Sequence, residues 1–167
     1  ERTWAPEEIS DKNRSFQPIG LRVLNNQGKV VDTVNASEGF SIEFEYGLSE
    51  AISGLGVGLY MITTGGDLVF TTFDTDDPQM YEAYSVRPAG RYISRCKIPP
   101  DLLNEGRFVL GVNASTYRIK RYFQDDKVLT FNVDATGAPG THWPEQRLGA
   151  IRPSLDWAIK KTNQSYE

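Results

Sequence analysis

Two carboxylates, Glu43 and Glu45, stand two residues apart in the run FSIEFEYG. On a β-strand that spacing aims both side chains at one face, about 7 Å apart. Glycosidases work with carboxylate pairs at such separations, so a glycan hydrolase is one reading of the chain. The competing reading is an ordinary wet strand face. A catalytic acid must be desolvated to stay protonated, and no residue on that face signals desolvation.

Other reactive side chains are few. His142 is the sole histidine, so a Ser-His-Asp triad, a Cys-His pair or a histidine-based metal site would all run through one residue of the Gly- and Pro-rich loop GAPGTHWPEQ. Cys96 is the only cysteine. It falls on the core-facing side of its run and reads as a small apolar residue. A lone cysteine excludes an internal disulfide and fits a reducing compartment. The run DTDDP, Asp74 to Pro78, offers hard oxygens for calcium but lacks the loop glycine and closing glutamate of an EF-hand. There is no G-x-x-x-x-G-K-[ST], and Gly54, Gly56 and Gly58 do not complete a dinucleotide fingerprint. No catalytic group, metal or cofactor is assigned.

The glycines raise a different chemistry. Gly54, Gly56 and Gly58 alternate with Leu55, Val57 and Leu59, and Tyr60 follows on the glycine side. A glycine inside a strand marks close approach by a ligand or another backbone. An outward trough ending in an aromatic ring suits a sugar, whose C–H face lies against the ring. Arg95, Asn113 and Glu45 project from the wet sides of their own runs. They are expected to bond the sugar hydroxyls, with Tyr60 as the platform and Tyr117 and Arg118 at the rim. The alternative is that a loop or a partner chain covers the trough, which would make the domain a protein-interaction module.

These residues need strands to position them. In FSIEFEYG, Phe40, Ile42, Phe44 and Tyr46 alternate with Ser41, Glu43 and Glu45. GRYISRCKIPP, RFVLGVNAST and KVLTFNVD alternate in the same way, and IGLRVLN and KVVDTV flank the Asn26-Gln27-Gly28 turn. Period-2 alternation in many short runs predicts an all-β, immunoglobulin-like antiparallel β-sandwich, with a jelly-roll-like variant as the alternative. The only helical turns expected lie around Asp101 to Asn104 and beyond Pro144. A length of 167 residues suits a single core. The formal net charge of −4 argues against a nucleic-acid partner. The one basic cluster, YRIKRY, reads as a protected strand edge. The apolar run near Leu55 to Ile62 is far too short to span a membrane.

Three stretches, CKIPPDLLNEGRFVLGV, VLTFNV and LGAIRPSLDW, resemble in order and spacing the C-terminal domain of the ATP-binding subunit of O-antigen polysaccharide ABC transporters (the Wzt type). The early part does so too, with RTWAP leading into LRVLNNQGKVVDTVNASEGFSIEFEY and the glycine-rich hairpin. The resemblance runs from about Trp4 to Trp157. It implies non-catalytic binding of an O-polysaccharide, often at its modified non-reducing end. It further implies a homodimer, with a C-terminal strand around Ala150 to Trp157 exchanged between protomers. The parent protein would carry an ATPase domain ahead of Glu1 and join a transporter membrane subunit at the cytoplasmic face of the inner membrane. On this reading residues 1–15 are a linker, 16–157 the sandwich and 158–167 a tail.

Overall fold

The alternating runs become the strands of two packed sheets. The computed structural model describes residues 1–9, 15–138, 140, 142–143 and 145–161. Strands β1 (Arg2–Thr3), β2 (Phe16–Leu24), β4 (Phe40–Leu48) and β9 (Gly90–Ile98) form a four-stranded sheet in the order β1-β2-β4-β9. Strands β3 (Thr33–Asn35), β11 (Lys120–Asp134), β10 (Gly106–Thr116), β6 (Leu55–Thr63) and β7 (Leu68–Phe73) form a five-stranded sheet in that order. A short ribbon pairs β5 (Ile52–Ser53) with β8 (Val86–Arg87). All pairings are antiparallel except β3 against β11. The opening segment thus serves both sheets, β2 in one and β3 in the other, on an immunoglobulin-like plan.

The core lies where the alternation puts it. Leu21, Val23, Ile42, Phe44 and Tyr46 of one sheet face Val57, Leu59, Met61, Leu110, Val112 and Phe131 of the other, all buried. Burying such side chains is the main favourable term in folding, at roughly 1.5–3 kcal/mol each before entropy is counted. Trp4 closes one end, its ring centroid 5.9 Å from Phe44 and 5.7 Å from Phe123. The expected linker is therefore partly paired: Arg2 and Thr3 register with Leu21 and Gly20. Residues 10–14 of that linker and 162–167 of the expected tail lie outside the described residues.

The expected helical turn at Asp101 to Asn104 does not form. Asp101 takes a φ of 58°, and Leu103 instead makes a β-bridge to Ile151. The helix is α1 (Pro78–Ala83), inside what reads as a loop. Its start is written locally: Asp77 Oδ1 accepts from the backbone nitrogens of Gln79 at 2.7 Å and Met80 at 3.4 Å. Pro78, the first helical residue, has no amide to leave unpaired.

Candidate functional site

The two sheets do not close on each other along one side. There the outermost strands are β9 and β7, and a cleft of about 480 Å³ opens between them. Its depth reaches the core residues Phe44, Val57 and Leu59, and its mouth carries Asp74, Asp76, Arg95 and Lys97. A second hollow of about 280 Å³ adjoins it and shares Asp74, Ser94 and Arg95. Three tyrosines wall this hollow: Tyr46 from β4, Tyr92 from β9 and Tyr84 just after α1. Met80 and Ile93 complete it.

Arg87 lies at the bottom, only 2% exposed. Its guanidinium carbon sits 5.9, 5.3 and 5.9 Å from the ring centroids of Tyr46, Tyr84 and Tyr92, each a cation–π contact strengthened by exclusion of water. Nη1 donates to Asp74 Oδ2 at 2.9 Å and to the Tyr46 hydroxyl. Nη2 donates to the Leu55 carbonyl at 3.3 Å. Ser94 Oγ donates to the same Asp74 oxygen at 2.7 Å and lies 3.2 Å from the Tyr46 hydroxyl. The other Asp74 oxygen accepts from the Val57 amide at 3.0 Å. Within this cluster Arg87 Nε is buried without a hydrogen-bond partner among the described residues.

Burial disfavours the Arg87 cation, but Asp74 foremost and then Tyr46 more than offset this, so the guanidinium stays charged. Burial pushes the Tyr46 hydroxyl above the usual phenol range, so it remains a neutral donor and acceptor. The Cys96 thiol, at the cleft wall, is pushed up by burial and then by Asp76, which keeps it unreactive. The acidic run read as possible calcium ligands is committed to the backbone. Asp76 Oδ2 accepts from the Phe73 amide at 2.9 Å and the Thr72 hydroxyl at 3.1 Å, and Asp77 caps α1. Among the described residues no group of three or more His, Cys, Asp or Glu is arranged to hold a metal.

The glycine trough is not open, which corrects the sequence reading. Gly56 and Gly58 do face outward on β6, but the Phe73 ring of the neighbouring β7 fills their space. A Cβ at Gly58 would come 2.5 Å from Phe73 Cε1, and one at Gly56 3.5 Å from Cδ1. Gly54 serves a turn, with φ +65° and its amide donating to the Ser85 carbonyl at 2.8 Å. Across the sheet, Gly111 makes room for a bulge in β11, whose Asp126 Cα would meet its Cβ at 2.9 Å.

The residues named from alternation are distributed over three places. Tyr60 and Asn113 share the outer face of the five-stranded sheet, in register with Gly111 and Gly58. Asn113 is buried, accepting from Ser115 Oγ at 2.9 Å and donating to Gln124 at 3.5 Å. Glu45 and Arg95 lie on the outer face of the other sheet. There, Glu43 and Glu45 are each only 6% exposed, against the expectation of a wet face. Arg95 Nε donates to Glu43 at 2.7 Å and Arg91 Nε to Glu45 at 2.6 Å, while Arg22 reaches both carboxylates. Arg22 first and then Arg91 hold the Glu45 carboxyl below the usual carboxylate range. Tyr117 and Arg118 sit in the β10–β11 turn, with Tyr117 78% exposed and the Arg118 guanidinium 5.1 Å from its ring. Of the six, Arg95 alone lines the cleft.

Alternation missed Arg87, Tyr84, Asp74 and Ser94. One signal pointed toward them. Tyr46 stands in an otherwise apolar inward stripe, and a buried tyrosine hydroxyl requires a polar partner.

Neither the scan against protein-family models nor the comparison with curated proteins found a match. Among solved structures the chain is similar to one described as the crystal structure of the C-terminal domain of Wzt. The TM-score is 0.64 at 12% identity, covering 96% of this chain and 93% of that one. The chain therefore shares its β-sandwich fold with the C-terminal domain of Wzt.

Proposed function

We propose that this domain binds a bacterial O-polysaccharide at its modified non-reducing end, leaves it chemically unchanged, and so selects it for export by an ABC transporter. The observation that carries the reading is the tyrosine-walled cleft with a fixed polar floor, on a body whose fold follows the Wzt C-terminal domain over nearly its whole length. Tyr84 and Tyr92 offer faces for sugar C–H groups, while Ser94 and Arg95 supply hydrogen bonds to hydroxyls. Each such bond replaces one with water and contributes only about 0.5–1.5 kcal/mol, so affinity is modest and cumulative. In the parent protein the domain would act in the cytoplasm, tethered to an ATPase domain and through it to the transporter's membrane subunit.

Hydrolysis fits less well. A glycosidase acid needs a raised pKa, and Glu45 is held down by two arginines. Calorimetric titration with purified O-polysaccharides of defined end groups, alongside an assay for new reducing ends, tests the proposal. Saturable binding without new ends is expected; no binding to any of them, or release of new ends, overturns it.

A homodimer is favoured by the C-terminal segment. Asn104 Nδ2 donates to the carbonyls of Arg147 and Gly149 at 2.7 and 2.8 Å, and Arg152 N donates to the Leu102 carbonyl at 2.9 Å. Beyond that anchor, Leu155, Trp157 and Ile159 are 66%, 87% and 100% exposed, an apolar display suited to exchange with a second copy. Light scattering is expected to give a dimer mass that falls to the monomer in a Leu155→Asp, Trp157→Asp variant. A monomeric parent chain rules the exchange out.

A further inference from the structure

On the outer face of the four-stranded sheet a groove of about 550 Å³ runs beside β9. Arg22, Ser41 and Glu43 form its floor; Asn25, Asn26 and Gly28 of the β2–β3 turn form one wall, and Arg95 and Lys97 the other. No aromatic side chain lines it, so it offers no stacking platform. What it offers is donors. Arginine and lysine have no acceptor, and Asn25 commits its carbonyl oxygen to the backbone amides of Gln27 at 3.0 Å and Lys29 at 2.9 Å. That leaves the Asn25 side-chain NH2 to point its hydrogens elsewhere.

One charge points the same way. Three cations line the groove, of which Arg22 is already paired with Glu1 at 2.7 Å and with Glu45 at 2.5 Å. Glu43 is already paired with Arg95 and lies 3.7 Å from Arg22. Lys97 makes no ion pair with any described residue. The groove is also continuous with the cleft: Arg95 lines it and both hollows, and Lys97 lines it and the larger hollow. A chain leaving the tyrosine-walled hollow over β9 enters a donor-rich channel whose edge carries the Lys97 ammonium.

We infer that this groove is a second saccharide subsite, which takes an acidic stretch of the same glycan, with sugar residues bearing carboxylate or phosphate. The inference rests on the polysaccharide reading above and adds the class of sugar to it. Lys97 and the Asn25–Asn26 turn would meet the anionic oxygens, with Arg22 and Arg95 held in place beneath by Glu43 and Glu45. Charge-assisted bonds of this kind are stronger than neutral ones and weaken with salt.

The test is an amide-resolved NMR titration of the chain with trigalacturonate and, separately, with neutral maltotriose. Trigalacturonate is expected to shift Asn25, Asn26 and Lys97. Its affinity should fall about tenfold in Lys97→Glu, as expected for reversing one partly exposed charge beside an anion. A thermal melt, expected to be unchanged for this exposed edge residue, separates lost binding from lost fold. Maltotriose is expected to leave those amides unmoved. The inference is overturned if trigalacturonate does not shift the groove, if Lys97→Glu binds it as tightly as the parent, or if maltotriose occupies the groove equally well. Should O-polysaccharides titrate at Tyr84 and Tyr92 while trigalacturonate ignores the groove, the inference falls and the polysaccharide reading stands. If trigalacturonate takes the groove but no O-polysaccharide binds, the polysaccharide reading falls instead.

Discussion

Arg87 and Asp74 meet across the open side of the sandwich, Nη1 to Oδ2 at 2.9 Å, with Arg87 almost wholly buried. Asp74 follows the last residue of β7 and Arg87 ends β8, so the pair fastens both ends of the excursion that carries α1. Replacing Arg87 with Leu leaves Asp74 partly buried without its cation. Unfolding free energy is expected to drop by ~3 kcal/mol, the low end for a broken buried pair because Asp74 keeps some contact with water. Arg87→Lys restores little of it, since an ammonium cannot serve Asp74, Tyr46 and the Leu55 carbonyl while stacked among three rings. Urea denaturation of the two variants checks both statements.

Tyr84 is 41% exposed at the hollow's lip, so its ring can be removed without opening the core. Tyr84→Ala is expected to weaken glycan binding about tenfold, the scale of one aromatic contact of ~1–1.5 kcal/mol, with the melting temperature lowered only by the loss of one cation–π contact to Arg87. Tyr60→Ala, on the outer face of the other sheet, is the control. Binding lost in Tyr60→Ala and retained in Tyr84→Ala would move the saccharide to that face.

Gly58 and Phe73 provide a steric test of the filled trough. An alanine at 58 brings its Cβ within 2.5 Å of the ring and must push Phe73 aside. Gly58→Ala is expected to cost about 1–3 kcal/mol, as overpacking does. The Gly58→Ala, Phe73→Ala double variant should recover part of the loss relative to Phe73→Ala alone. Thermal or chemical unfolding of the set measures the coupling.

Glu45 sets an acid limb. Its folded pKa is depressed below the ordinary value near 4.5 by Arg22 and Arg91. Its contribution is therefore fully present above about pH 4.5 and is lost as pH falls through the lower folded value. Glu45→Gln is expected to be less stable than the parent at neutral pH, with the gap closing below pH 4.5. A gap independent of pH would show that packing, not charge, is what Glu45 supplies.

Period-2 alternation was enough to place β2, β4, β9, β10 and the core half of β11, because their inward side chains are apolar with few exceptions, such as Ser94 of β9. It failed for the site because the site does not lie on a sheet face. Arg87 and Tyr84 come from an excursion with no periodicity, and they meet Tyr46, Ser94 and Asp74 only where two strand edges face each other. The glycines of β6 were legible as a place of close approach, but one strand's alternation does not tell what approaches. The occupant, Phe73, is set by the β6–β7 register. Glu43 and Glu45 looked solvated because arginines from β2 and β9, remote in sequence, cover them.

The sheet order has a consequence for how the chain is made. In the five-stranded sheet, β3 has no neighbour other than β11, and the β6–β7 hairpin none other than β10. During synthesis β3 must wait, unpaired, until β11 through Asp134 has left the ribosome, while the β6–β7 hairpin waits for β10. Contacts this distant in sequence make for slow folding, and a nascent chain stalled before β10 would show its hydrophobic inner stripe to chaperones rather than to its own second layer.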